Sequence, residues 1–87
     1  MIVVSPDRQL GRTGAREWCE RVRRKQPACR FFGPNDRRNP MIGWFTVAGP
    51  DGETGVSHDD MEHAALCFLA FVLDDKTAHE ALRQRGR

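Results

Sequence analysis

The spacing of apolar positions changes along this chain, and each change marks an element. From Ala15, apolar side chains recur at Trp18, Cys19 and Val22, the i, i+3, i+4, i+7 stripe of an amphipathic helix. Thr13, after Gly11, is placed to cap it, Arg23, Arg24 and Lys25 gather where the helix dipole favours cations, and Pro27 stops it. A helix is therefore predicted over 13–26, with residues 1–12, including Ile2, Val3 and Val4, as an N-terminal arm or edge strand.

Over 28–57 the period falls to two, which predicts a three-stranded antiparallel sheet. "ACRFF" reads as a short strand closed by Gly33-Pro34, and "NDRRNP" as a polar loop. "MIGWFTVA" alternates, with Met41, Phe45 and Val47 on one face and Ile42, Trp44 and Thr46 on the other. The turn residues Pro50-Asp51-Gly52 then predict a hairpin joining 43–48 to 53–56.

The last segment, 58–82, is helical by pattern and nearly all apolar between Met61 and Leu73. Ser57 and Asp60 resemble a capping box, Asp59, Asp60 and Glu62 place negative charge in the first turn, and Asp74-Asp75-Lys76-Thr77 mark a break. The prediction is an α+β fold in αβββα order, with two helices on one face of the sheet, in a single domain over 1–87. Its predicted core holds Trp18, Val22, Phe31, Phe45 and Val47, joined by Met61, Ala65, Phe68, Leu69 and Val72 from the last helix.

Length and composition narrow the class. Eighty-seven residues make one domain with a modest core. Three widely spaced cysteines in apolar-periodic contexts argue for reduced, buried thiols rather than a disulfide framework. "MIVVSPDRQ" lacks the features of an export signal, and a helix over 58–73 would reach only about 24 Å where a bilayer core needs about 30 Å. A soluble, cytoplasmic protein with no membrane association is expected. The net charge of +2 hides an asymmetry, with ten Lys and Arg against four Asp and Glu in residues 1–43 and four against eight in 44–87. Such polarity suits internal pairing, self-association or a charged partner.

Pro27, Gly33-Pro34, Phe45-Thr46-Val47, Gly55-Val56-Ser57 and Ala64-Ala65, in that order, resemble the punctuation of the double-stranded RNA-binding domain over roughly residues 15–73. The resemblance implies the αβββα layout. It does not carry the function over, because the lysines with which that family grips phosphates after Gly-x-Ser correspond here to His58, Asp59 and Glu62. Carboxylates repel phosphates, so that grip is expected to be lost. Asn35-Asp36 also replaces the histidine that the family places after Gly-Pro.

Chemical sites are sparse. His63 and Cys67 share a helix face at i, i+4, but the paired spacing of a zinc site is missing, and His58 and His63, five apart, are not expected to share a face. No metal and no cofactor are expected. The consecutive Ser57-His58-Asp59 point in different directions rather than forming a relay, no phosphate loop is present, and no enzymatic activity is expected.

What stands out is surplus hydrophobicity. Leu66, Cys67, Ala70, Phe71 and Leu73 fall outside the core stripe of the last helix, and Ile42 and Trp44 alternate away from the core face. Either the terminal segments cover them or they meet another protein, a target or a second copy forming a homodimer. The size and arginine-rich asymmetry are similar in format to small inhibitors encoded by phages and mobile elements, such as anti-CRISPR proteins. On that reading the chain is a non-enzymatic protein-binding module that blocks a bacterial nucleic-acid-handling complex. Trp44, Leu66 and Phe71 would supply the apolar contact, and Asp59, Asp60, Glu62, Asp74 and Asp75 would engage basic residues of the partner. The alternative is a nucleic-acid-binding accessory protein using Arg21, Arg23, Arg24 and Lys25 of the first helix with Arg37 and Arg38 of the loop.

Overall fold

The computed structural model describes residues 7–52 and 54–85, with the side chains of the first helix described from Gly14 onward. Its elements are α1 (Asp7–Lys25), β1 (Arg30–Phe32), β2 (Phe45–Ala48), β3 (Gly55–His58), α2 (Met61–Cys67) continuing into a π-helical turn (Phe68–Val72), and α3 (Lys76–Arg85). The fold is α+β: the strands form one antiparallel sheet in the order β1-β2-β3, and the helices pack against it. The predicted αβββα order is present, with α3 added at its end. Ile2, Val3 and Val4 lie outside the described residues.

Helix α1 begins at Asp7, well before the predicted Thr13 cap, so Gly11 and Thr13 lie within it. At Gly14, α1 approaches α2 so closely that a Cβ would overlap the Glu62 carboxylate.

The hairpin register differs from the predicted one. Phe45 pairs with His58, Val47 with Val56 and Ala48 with Gly55, so β3 runs on through Ser57 to His58. Ser57 is thus a strand residue bonded to Thr46 across the sheet at 2.8 Å, and the capping role passes to Asp60, whose Oδ1 accepts from the His63 amide at 2.7 Å. Residues 41–44, predicted to begin β2, instead form a turn with Gly43 at φ +98°.

The register puts Phe31, Val47 and Val56 on the face that the helices cover. Val22, Val47, Ala65, Phe68 and Leu69 are fully buried, with Trp18, Phe31, Met61 and Val72 packed at the margin as predicted. Phe45 is only half-buried at the strand end, and Phe32 on the opposite face is buried instead.

The apolar run of α2 finds most of its second cover within the chain. Ala64, Ala65 and Leu66 are buried, then Phe68, Leu69 and Ala70, with only Cys67 between the two triplets partly accessible. The helix lies between α1, the sheet and α3, and Ala78, Ala81 and Leu82 of α3 close the last side. The wider π-turn, marked by the Leu73 amide donating to the Phe68 carbonyl at 3.2 Å, keeps three consecutive residues inward. Asp74 then reverses the chain at φ +56°, and Asp75 starts α3.

Candidate functional site

The loop of residues 33–44 between β1 and β2 is built around Asn39, which is buried although it sits in a connection. Its Nδ2 donates to the Gly33 carbonyl at 2.9 Å and the Trp44 carbonyl at 2.7 Å, while its Oδ1 accepts from the Met41 amide at 2.8 Å. The Gly43 amide donates to the Pro34 carbonyl at 2.8 Å and that of Trp44 to the Met41 carbonyl at 3.0 Å. Arg38 is clamped to Asp36 at 3.0 Å, lowering the Asp36 pKa through hydrogen bonds and charge, and lies 5.7 Å over the Phe32 ring. This scaffold presents Met41, Ile42 and Trp44 at 50%, 63% and 46% exposure. Three large apolar side chains on one ordered turn thus leave about half or more of their surface to solvent, a concentration of exposed apolar area in one place.

The residues expected to meet a partner are divided by the fold. Trp44 and Phe71 are exposed, Phe71 at 68% with its ring edge-on to His79. Leu66 is fully buried and belongs to the core rather than a contact surface. Asp75 is likewise buried: Arg21 Nε donates to its Oδ2 at 2.7 Å, Lys25 Nζ lies at 2.9 Å, and the Ala78 amide donates to its Oδ1 at 3.0 Å. Hydrogen bonding from Arg21 holds the Asp75 carboxyl far below its usual range. Asp75 therefore pins α3 to α1 and caps α3, and its carboxylate is closed to a partner, while the Arg21 and Lys25 side chains, 31% and 42% exposed, are already paired to it. Asp59 and Asp74 are exposed, while Glu62 is held by Arg85 at 3.1 Å.

Of the basic residues, Arg23 lies 4.6 Å over the Phe31 ring, Arg38 is paired with Asp36, and Arg24 and Arg37 are exposed without an ion pair to any other described residue. The cysteines are free thiols, and burial pushes Cys19 up to about 11, the behaviour of an inert core residue.

One cluster escaped sequence reasoning. His58 lies two residues beyond Val56 on the helix-covered face of β3, and the turn at Asp59-Asp60 brings the first turn of α2 over it. The His58 and His63 rings stack at 3.6 Å between centroids and 9° between planes. One ligand atom from each of His58, Asp60 and His63 lies within 4.8 Å of the others. Asp59 Oδ1 contacts His58 Nδ1 at 2.6 Å, and that bond lowers the Asp59 pKa. Burial, followed by His58 and Arg85, lowers that of His63. The expectation that His58 and His63 do not share a face assumed that both stand on one helix. His58 stands on a strand.

Fold and site together define a small α+β domain carrying an ordered apolar loop and a histidine-carboxylate cluster. No protein-family model matches the chain, and neither a curated protein nor a solved structure is significantly similar to it. Among the described residues no helix is long and apolar enough to cross a membrane.

Proposed function

We propose that this chain is a non-enzymatic module that works by protein contact, with the loop bearing Met41, Ile42 and Trp44 as its contact surface. The observation that carries this reading is the exposure of these three side chains on a turn fixed by Asn39. An apolar anchor held in place before binding loses little conformational freedom on docking, and tryptophan is among the residues that contribute most at interfaces. The small size and arginine-rich asymmetry fit an inhibitor of the phage or mobile-element kind, anti-CRISPR-like in format, directed at a bacterial nucleic-acid-handling complex. Asp59 and Asp74, both exposed, would add charge complementarity to a basic partner.

The nucleic-acid reading keeps some support from Arg24 and Arg37, which have no ion-pair partner among the described residues, with Trp44 as a stacking surface. One experiment separates the two. Affinity capture from a bacterial lysate treated with nuclease is compared between the wild type and a Met41→Ser/Ile42→Ser/Trp44→Ser variant. Retention of the same protein by the wild type alone is the expected result. Capture that disappears with nuclease, together with a salt-dependent shift of duplex RNA or DNA that Arg24→Glu/Arg37→Glu removes, would replace this reading with the nucleic-acid one.

A further inference from the structure

We propose that His58, Asp60 and His63 form a binding site for a divalent transition-metal ion. Two imidazoles and one carboxylate are a donor set suited to zinc and its neighbours and poorly suited to magnesium or calcium, which take oxygen ligands. The three residues come from the end of β3, the turn and the first turn of α2, so the sheet and helix fix their backbones independently of any ion.

Contacts around the three residues also match what a metal site needs. His58 Nδ1 lies 2.6 Å from Asp59 Oδ1 and 2.9 Å from the Asp59 amide. In the tautomer that accepts from the amide, the proton sits on Nε2 and is displaced when an ion binds there; in the tautomer that donates from Nδ1 to the carboxylate, Nε2 keeps a free lone pair. That carboxylate-histidine arrangement orients the ring and raises its basicity, as second partners of metal-bound histidines do. Asp60 Oδ1 accepts from the His63 amide, and the carboxylate keeps acceptor lone pairs on both oxygens for an ion. Among the described residues its close cation is Arg85, with Nη2 4.0 Å from Oδ2 and Nη1 3.1 Å from Glu62, so the locality already draws positive charge. Asp60 and Glu62 face Arg85 and Asp59 contacts His58, so three carboxylates stand near the site against one arginine.

Closing the site requires local movement. Stacked rings direct their lone pairs side by side, and ligand atoms on a tetrahedral zinc stand about 3.3 Å apart, closer than the 4.8 Å limit that holds here. The His58 side chain is 35% exposed, and bringing its ring toward Asp60 loosens its stack on His63 and its contact with Asp59, a cost that the ion's binding energy has to offset. Three protein ligands would leave a fourth position open to water or to a donor from another molecule.

The test uses zinc alone. Equilibrium dialysis of the full chain, with nickel and magnesium as comparison ions, is expected to show one zinc retained per chain and no magnesium. Thermal melts should rise with zinc concentration. Asp60→Asn keeps the helix cap, since asparagine caps as well as aspartate, but removes the anionic ligand. It and His58→Gln are each expected to weaken zinc binding at least tenfold while circular dichroism stays native. His63→Gln should do the same, whereas His79→Gln and Cys67→Ser should not. Zinc affinity unchanged in both Asp60→Asn and His58→Gln, zinc binding that follows Cys67 instead, or no retention at about a hundred micromolar free zinc, would each overturn the assignment.

Discussion

Asp75, expected from the sequence to engage a partner's basic residues, performs two tasks inside the fold with a single carboxylate. It caps α3 through the Ala78 amide and holds Arg21 and Lys25 of α1. Removing one member of such a set leaves charges without a partner, and Asp75→Ala is expected to cost about 3 kcal/mol in urea unfolding. Asp75→Asn should be milder by about 1 kcal/mol, because the cap survives. The folded-state pKa of Asp75 is depressed, so its contribution is complete above the ordinary value of 3.8 and fades as pH falls through the folded value. The gap between wild type and Asp75→Asn should therefore be constant near neutrality and shrink as pH drops from about 4 toward 2. A gap that widened on acidification would contradict the ion-pair account. Next door, Asp74 takes a left-handed backbone at φ +56°, where a β-branched side chain is strained. Asp74→Ile is expected to lower stability by about 1–2 kcal/mol, and Asp74→Gly to leave it near the wild type.

At the scale of elements, the helices and strands were legible because apolar period separates them, and the break before α3 was legible in Asp74-Asp75. The boundaries that moved did so for tertiary reasons. Ser57 has the chemistry of a helix cap, but pairing with Thr46 extends β3 past it, and nothing in the local pattern "GVSH" announces that pairing. The same shift hid the His58-His63 stack, since counting both residues along one helix separates them. Asn39 was equally silent, as one polar residue in a polar loop. Its three hydrogen bonds nonetheless set the loop, and Asn39→Ala leaves two carbonyls and an amide to find other partners. That substitution is expected to lower stability by about 2 kcal/mol and to speed hydrogen exchange at the Gly43 and Trp44 amides, while α2 exchanges as in the wild type. Binding should weaken too, although Met41, Ile42 and Trp44 are untouched, because the anchor is no longer ordered in advance.

Across the whole molecule, part of the charge asymmetry is internal: Arg21 and Lys25 of the basic half meet Asp75 of the acidic half. Most of the surplus hydrophobicity is internal as well, because α3 covers α2. What stays outside, among the described residues, is Phe71 on the π-turn and the Met41, Ile42 and Trp44 loop. With Leu66 and Ala70 buried, self-association through α2 would rest on Phe71 alone. Light scattering should accordingly give a mass independent of concentration; a dimer that Phe71→Asp dissolves would assign the contact to the π-turn instead. The loop is the surface on which the proposed function depends. Its most direct test is a photo-crosslinking residue placed at Ile42 in living cells, with the exposed Ala28 as control position. A discrete protein adduct from position 42, absent from position 28 and reduced by Asn39→Ala, is the predicted result. Adducts equal at both positions, or formed with nucleic acid rather than protein, would contradict it.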